Sequence, residues 1–309
     1  MAELTLDTSD DIDWPVEDCA CPLCGSIDAR PTRYAQAPFA VKRCGECAHW
    51  FLSPRLVPEA ADRFYTSDQY FNGQSGSGYE NYATQKRSLQ ATFERFVKAI
   101  AARGGAGGDL LEVGSGPGYL LDVAKPYFAS VEGVELSEAT AREAEALSGA
   151  RIYRSVDEID AAKTYDCIVA THVIEHIYEP VSFTRDLVER LMPGGLMFLA
   201  APHMNSPLRY LMGRAWPSWK YPEHVSFFDQ KTLPDLVRRS GLTDPQLVPY
   251  PHAFPLPLIL SKFGLGAPRW AERINLTLPA RRPRSSRVSL PHAARSSLRS
   301  TVIFSTRPR

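Results

Sequence analysis

The chain has 309 residues, of which 35 are Lys or Arg and 35 are Asp or Glu, so its formal net charge is zero. This balance argues against a general nucleic-acid-binding protein, because such proteins carry an excess of basic side chains. Hydrophobic residues make up 44% of the chain. That supply is enough for one globular domain of about 200 residues with a smaller accessory module.

Residues 1–18 contain seven acidic side chains and no Lys or Arg, and they are predicted to form a disordered acidic arm. The arm lacks the basic and apolar regions of a secretory signal peptide. No apolar run approaches the ~20 residues that a transmembrane helix needs. The sequence therefore predicts a cytoplasmic protein without a transmembrane segment.

Four cysteines form two Cys-x-x-Cys pairs, Cys21 with Cys24 and Cys44 with Cys47, with nineteen residues between the pairs. Two such pairs fit tetrahedral zinc with four thiolate ligands. Two disulfides are the alternative, but disulfides are typical of secreted proteins. We therefore predict a zinc-ribbon domain over 19–55 with a structural Zn²⁺, since four protein ligands leave no open position for catalysis.

Residues 56–104 are predicted to form a helical lid or linker. A helix is expected over 59–65, a Gly/Ser/Tyr-rich loop over 67–82 and a second helix over 85–103.

Strand and helix patterns then alternate along the chain, which predicts an α/β, doubly wound Rossmann-like fold with a parallel sheet. The predicted strands are 109–113, 130–135, 151–155, 165–170, 196–201 and 246–249, and the predicted helices are 119–126, 138–147, 179–192 and 232–240.

A glycine-rich turn follows the first of these strands, with Gly114, Gly116 and Gly118 spaced two apart. A strand, a glycine turn and a helix together bring bare backbone against a nucleotide-like ligand. Glu135, at the end of the next strand, is placed to accept hydrogen bonds from two ribose hydroxyls. The spacing differs from the Gly-x-Gly-x-x-Gly of dinucleotide sites, although a nicotinamide or flavin cofactor remains an alternative.

Residues 110–121 resemble motif I of class I S-adenosylmethionine-dependent methyltransferases. Four further segments resemble later motifs of that family in the same order, namely 131–135, 165–176, 191–199 and 224–228, the last of them typical of the ubiquinone-biosynthesis-like branch. The resemblance covers about residues 85–250. It implies a seven-stranded methyltransferase sheet that ends in an antiparallel strand over 301–305, so the methyltransferase domain is predicted to span 105–250 and 299–309.

The resemblance also implies S-adenosylmethionine as the cofactor. The implied binding residues are Glu112, Gly114, Ser115, Gly116, Gly118, Glu135, Leu136, Asp157 and Thr171, with Glu135 on the ribose and Asp157 facing the adenine.

Three histidines are candidates for a general base, because a neutral imidazole can take the proton of an acceptor hydroxyl. They are His176, His203 and His224, and the Trp-rich loop 213–223 is expected to wall the acceptor pocket.

His-x-x-Glu-His over 172–176 also matches the inverted zinc-protease signature. In related O-methyltransferases a Glu-x-x-Glu-His segment can bind a divalent cation, and His172 stands here at the position of the first acid.

The function predicted on this basis is methyl transfer to an O or C atom of a small molecule, such as a sugar or a secondary metabolite. A binding or scaffold protein with a degenerate methyltransferase domain is the alternative. Residues 251–298 are predicted to be an insertion, with a capping role for 253–276 and a solvated linker over 279–298. Its basic tract at 281–287 also allows weak contact with a membrane surface.

Overall fold

A computed structural model describes residues 14–66, 82–250, 253–255, 275–277 and 300–308. Predictions for 1–13, for the loop over 67–81 and for most of the insertion lie outside these residues. In the described part of the chain, no helix is both long and apolar enough to cross a membrane.

The N-terminal module contains five short strands. They are β1 (Val16–Glu17), β2 (Ala29–Gln36), β3 (Phe39–Cys44), β4 (Trp50–Leu52) and β5 (Arg55–Leu56). Strands β2, β3 and β4 form an antiparallel sheet, and β1 pairs with β5. Asp18 also accepts hydrogen bonds from Lys42 and Ser53. The end of the predicted acidic arm is therefore ordered.

Among the residues described after the ribbon, 58–66 and 82–101 form the helices α1 (Pro58–Thr66) and α2 (Tyr82–Ala101). The apolar face of α2 lies in the core, since Phe96, Val97 and Ile100 are buried in one cluster with Leu110 and Phe198. This corrects the prediction of a lid or linker for 56–104. At least α2 is a structural layer of the sheet, because its helical apolar stripe covers one face.

The second unit is an α/β sheet of seven strands with its helices. Its elements are β6 (Asp109–Val113), α3 (Tyr119–Ala124), β7 (Ser130–Val134), α4 (Glu138–Ser148), β8 (Arg151–Tyr153), β9 (Tyr165–Thr171), α5 (Pro180–Glu189), β10 (Leu191–Pro202), α6 (Pro207–Met212), α7 (Thr232–Arg239), β12 (Thr243–Pro249) and β15 (Ser300–Thr306). The strand order is β12-β15-β10-β9-β6-β7-β8. Between α6 and α7, β11 (Ser226–Phe227) belongs to the ribbon sheet instead. Strands β8, β7, β6, β9 and β10 are parallel, whereas β15 is antiparallel to both β10 and β12. The predicted fold class is confirmed, including the antiparallel last strand.

Several boundaries differ from the predicted ones for local reasons. Strand β10 begins at Leu191 and includes the Pro-Gly-Gly segment, with a register shift between Leu191 and Leu196. Strand β8 ends at Tyr153 because Ser155 caps a short 3₁₀ turn over Val156–Glu158. In the predicted insertion, β13 (Ala253–Pro255) pairs with β14 (Asn275–Thr277).

The ribbon sheet takes one strand from the chain segment of the second unit, and the ribbon shares a core with the large sheet. Strand β11 pairs with β4, so residues 226–227 complete the ribbon sheet. Leu52 N also donates a hydrogen bond to Val225 O at 2.9 Å. Cys21, Leu23 and Phe51 lie in the same buried cluster as side chains of the large sheet. The predicted boundary after residue 55 therefore does not separate two independent packing units.

Candidate active site

The glycine turn joins β6 to α3 at the carboxyl edge of the parallel strands, where open sheets bind ligands. Gly114, Gly116 and Gly118 have φ angles of 72°, 50° and 80°, which side chains disfavour. A Cβ on Gly114 would lie 2.4 Å from Val173 Cγ2, and one on Gly118 would lie 2.9 Å from Ala144 Cα. The turn therefore packs against the 172–176 segment on one side and α4 on the other.

Glu135 holds the turn from the neighbouring strand. Its Oε2 accepts a hydrogen bond from Gly116 N and its Oε1 accepts one from Ser137 N, both at 2.9 Å. The side chain is buried, and a carboxylate oxygen can accept two hydrogen bonds. The same carboxylate can therefore fix the backbone turn and accept hydrogen bonds from a ligand.

Glu112 lies one strand away and is only 2% exposed. Its Oε2 has no hydrogen-bond partner among the described residues. Burial, with the charge of nearby Glu135, raises the pKa of Glu112 well above its ordinary value. A buried carboxyl group with an unused oxygen fits a polar ligand beside the turn.

The remaining predicted cofactor residues differ in position. Ser115 is buried with an unpaired Oγ, and Thr171 ends β9 at the same sheet edge. Leu136 is 61% exposed, and its carbonyl accepts a hydrogen bond from Arg154 Nη2. Asp157 is exposed in the 3₁₀ turn after β8. These positions lie beyond the ends of β6, β7, β8 and β9.

The segment after β9 forms a single 3₁₀ turn over Ile174–His176 instead of a regular helix. His172, with φ of 58°, directs its Nδ1 to Glu175 Oε1 at 3.2 Å. Burial would raise the pKa of Glu175, but this hydrogen bond and the positive charges that the surrounding imidazoles take up in acid outweigh it and lower the pKa to about 2. Glu175 is therefore an ionised carboxylate, and its buried Oε2 has no hydrogen-bond partner in the described chain.

His176 and His224 face each other beside Glu175, with ring centroids 4.7 Å apart at 89°. Burial lowers the pKa of both imidazoles, most strongly that of His224, so both are neutral at neutral pH. His224 Nδ1 lies 2.9 Å from the carbonyl oxygen of Ser218. Because a carbonyl only accepts, neutral His224 carries its proton on Nδ1 and has its lone pair on Nε2.

These three side chains form one cluster, in which ligand-type atoms of Glu175, His176 and His224 lie within 4.8 Å of one another. Two neutral imidazoles and a carboxylate could hold a divalent cation or accept a proton. The His-x-x-Glu-His segment contributes only its last two residues to the cluster, whereas His172 contacts it through Glu175.

His203 has a different environment from the other two candidates. Its Nδ1 accepts a hydrogen bond from Asn205 N at 3.2 Å, so the neutral ring carries its proton on Nε2. His203 is not part of the cluster around Glu175. Sequence reasoning placed the three histidines together, but the structure joins only two of them through Glu175.

The Trp-rich loop packs against the ribbon. Trp216 is buried in the cluster that contains Tyr34 and Phe39 of the ribbon, and Trp219 stacks on Tyr34 with ring centroids 4.5 Å apart. The ring of Trp216 is therefore part of the interface between ribbon and sheet, whereas Ser218 of the same loop contacts His224. That the loop walls the acceptor pocket stays a prediction. No sequence signal identified Tyr65, whose hydroxyl reaches both His176 and the carbonyl of Glu223.

The four predicted zinc ligands come together at one end of the ribbon. The Sγ atoms of Cys21 and Cys47 are 3.6 Å apart, and those of Cys24 and Cys44 are 3.5 Å apart. These separations are too long for disulfide bonds of ~2.05 Å and close to the ~3.8 Å between thiolates at tetrahedral zinc. Burial would raise the pKa of Cys44, but backbone N–H groups of Cys47 and Glu46 outweigh it, and the pKa is lowered to about 7. Cys19 lies apart, with its Sγ donating to Leu52 O.

A family model described as "Methyltransferase domain" matches residues 84–247, which is more than half of the chain. The chain belongs to this methyltransferase family. A ubiquinone biosynthesis O-methyltransferase of Nitrosospira multiformis is 33% identical over 152 residues, which cover 44% of this methyltransferase and 63% of that relative. The corresponding enzyme of Bradyrhizobium diazoefficiens is 30% identical over 119 residues, which cover 37% of this chain and 46% of the relative. The chain thus spans about half to two thirds of the length of these curated relatives.

Solved structures also resemble the methyltransferase. A possible histamine N-methyltransferase of Thermotoga maritima shares 18% identity at a TM-score of 0.49, covering 74% of this chain and 93% of that one. The magnesium protoporphyrin IX methyltransferase of Synechocystis with bound S-adenosylmethionine shares 15% identity at a TM-score of 0.46, covering 82% and 98%.

Proposed function

We propose that this protein is an S-adenosylmethionine-dependent methyltransferase that methylates an O or C atom of a small molecule. The observation that carries the proposal is the contact between the two parts of the site. The glycine turn, held by Glu135, packs directly on the segment that presents Glu175 and His176. A cofactor over the turn would therefore have its reactive group beside that cluster.

The residues at the turn fit this cofactor. Gly114, Gly116 and Gly118 would lie under it, Glu135 would accept hydrogen bonds from its ribose, and Glu112 and Ser115 offer unpaired buried oxygens. The cofactor pocket would be completed at the ends of β7, β8 and β9 by Leu136, Asp157 and Thr171. When bound, S-adenosylmethionine supplies an electrophilic methyl group, so the protein contributes mainly alignment and proton transfer.

Proton transfer is assigned to the imidazoles of the cluster. For a hydroxyl acceptor, an imidazole lone pair of His224 or His176 would take the proton as the oxygen forms its bond to the methyl carbon. The bond from that carbon to the sulfonium sulfur would break at the same time, and the neutral thioether, S-adenosylhomocysteine, would leave. His203 is less suited, because its neutral ring already carries a proton on Nε2. The relatives from Nitrosospira multiformis and Bradyrhizobium diazoefficiens are ubiquinone biosynthesis O-methyltransferases, which supports oxygen as the acceptor atom. The cluster is equally compatible with a cation that orients this hydroxyl.

The ribbon is proposed to hold one structural Zn²⁺ through Cys21, Cys24, Cys44 and Cys47. The support is the convergence of four thiols within 4.8 Å of one another. Four cysteine ligands close the coordination sphere, so this metal would stabilise the module and take no part in methyl transfer. Unpaired cysteines suit a reducing compartment, which supports a cytoplasmic location.

The alternative, a scaffold with a degenerate domain, predicts that the turn no longer binds a cofactor. Calorimetry with S-adenosylmethionine distinguishes the two functions. We expect saturable one-to-one binding, and a rise in melting temperature because ligand at 100 times its dissociation constant adds ~2.7 kcal/mol of stability. Zinc-loaded, folded protein that binds neither S-adenosylmethionine nor its demethylated product would contradict the proposed function.

A further inference from the structure

Tyr65 connects the two candidate bases from a distant part of the chain. It lies in the last turn of α1, and its hydroxyl is 3.1 Å from the carbonyl oxygen of Glu223 and 3.3 Å from His176 Nδ1. Glu223 directly precedes His224. The Tyr65 hydroxyl therefore contacts the side chain of His176 and the backbone next to His224.

The donor assignment at this hydroxyl fixes the tautomer of His176. A carbonyl oxygen only accepts hydrogen bonds, so the single phenolic proton of Tyr65 is given to Glu223 O. The contact with His176 is then a hydrogen bond only if Nδ1 carries the ring proton and donates it to the phenolic oxygen. Neutral His176 therefore has its lone pair on Nε2, as His224 does through its bond to Ser218 O.

We propose that Tyr65 is a positioning residue, which fixes His176 as the Nδ1–H tautomer and leaves Nε2 able to accept a proton. Its relevance to catalysis rests on the proposed methyl transfer, whereas the tautomer itself does not. A neutral imidazole in solution exchanges between two tautomers, and only one of them can take a proton at Nε2. The ribbon-side helix thus determines which nitrogen of His176 is basic.

Neighbouring contacts join β5, just before α1, to the residues just after His176. Tyr178, two residues after His176, donates its hydroxyl to Leu56 O at 2.8 Å. Arg55 stacks on the Tyr178 ring at 4.2 Å and donates to the Tyr178 carbonyl. These bonds tie the same two segments together without touching an imidazole, so Tyr178 provides a matched control.

The test is the ¹⁵N NMR spectrum of the histidine rings in the full-length, zinc-loaded protein at neutral pH without S-adenosylmethionine. His176→Gln assigns the His176 signals. In the wild type we expect a protonated Nδ1 and an unprotonated Nε2. Tyr65→Phe keeps the ring and removes the hydroxyl, so the tautomer ratio should move about fivefold toward Nε2–H, the change expected from one lost hydrogen bond. Tyr178→Phe should lower the melting temperature and leave the His176 signals unchanged.

Two results would overturn the proposal. One is a wild-type His176 with its proton on Nε2, which can be read even if Tyr65→Phe fails to fold. The other is a folded Tyr65→Phe protein with wild-type His176 signals. Absence of S-adenosylmethionine binding would contradict the proposed function but would not affect the measurement of the His176 tautomer. If methyl transfer is established, Tyr65→Phe should lower kcat with an unchanged KM for S-adenosylmethionine.

Discussion

The cofactor side and the acceptor side of the site are built from contacts of different range. On the cofactor side, Glu135 reaches Gly116 across only 19 residues of sequence. On the acceptor side, Tyr65 is 111 residues from His176. At the junction between ribbon and sheet, His49 is 177 residues from Ser226, to which its side chain is hydrogen-bonded. Short-range contacts leave a motif in the sequence, whereas long-range contacts require the ribbon and the sheet to be packed together. Each of the following experiments perturbs one side and asks whether the other side responds.

Removal of zinc should have the largest effect. We expect Cys44→Ser to abolish zinc binding and unfold the ribbon, because structural zinc contributes ~10–16 kcal/mol in small zinc modules and exceeds the stability of many domains. Since β4 pairs with β11 beside His224, methyl transfer should be lost as well. Elemental analysis, circular dichroism and turnover report the three effects. Cys19→Ser is the control and should keep one zinc per chain, and full metal content in Cys44→Ser would refute the ligand set.

Loss of the basic imidazoles should affect turnover without affecting the cofactor side. His224→Ala and His176→Ala are expected to lower kcat by about 10²–10⁴, the usual contribution of a positioned general base. Affinity for S-adenosylmethionine, measured by calorimetry, should stay within about threefold of the wild type. His203→Ala should mainly lower the melting temperature, because its buried ring accepts a backbone hydrogen bond. Near-normal turnover in both cluster variants would rule out a histidine base.

Loss of Glu135 should instead affect the cofactor side of the site. Glu135→Ala removes charge-assisted hydrogen bonds worth ~1.5–3 kcal/mol each, so affinity for S-adenosylmethionine should fall at least tenfold. Asp157→Asn, at an exposed carboxylate, provides a milder comparison in the same assay. An unchanged dissociation constant for Glu135→Ala would count against the ribose assignment.

Acidification should weaken the junction between ribbon and sheet by a smaller amount. His49 is fully buried, and burial lowers its pKa to about 4, below its ordinary value near 6.5. The unfolded chain therefore binds more protons below pH 6.5, and stability should fall as the pH drops from about 6.5 toward 4. Urea unfolding across this range measures the slope. His49→Gln should reduce it, and an identical slope in the variant would show that His49 does not contribute.

The sequence predicted the cofactor side in more detail than the acceptor side, for a physical reason. Local requirements on this side are visible in the residue types themselves. The left-handed backbone of the turn requires glycine at Gly114 and Gly118, and the end of the neighbouring strand requires the carboxylate of Glu135. The Cys-x-x-Cys pairs likewise identified all four converging thiols. His203 was grouped with His176 because both follow strands at the same sheet edge, but only hydrogen-bond partners distinguish their tautomers. Tyr65 and β11 could not be predicted, because their roles depend on how two distant segments dock.

Strand β11, which the methyltransferase segment contributes to the ribbon sheet, limits how this protein can be divided or recombined. A truncated chain that begins after the ribbon would leave the β11 edge unpaired and expose the aromatic surface around Trp216 and Phe227. A chimaera that takes its catalytic domain from this chain should therefore inherit residues 14–66 with it. In evolutionary terms, the ribbon and the methyltransferase fold are expected to be inherited as a single unit, because neither covers its own surface alone.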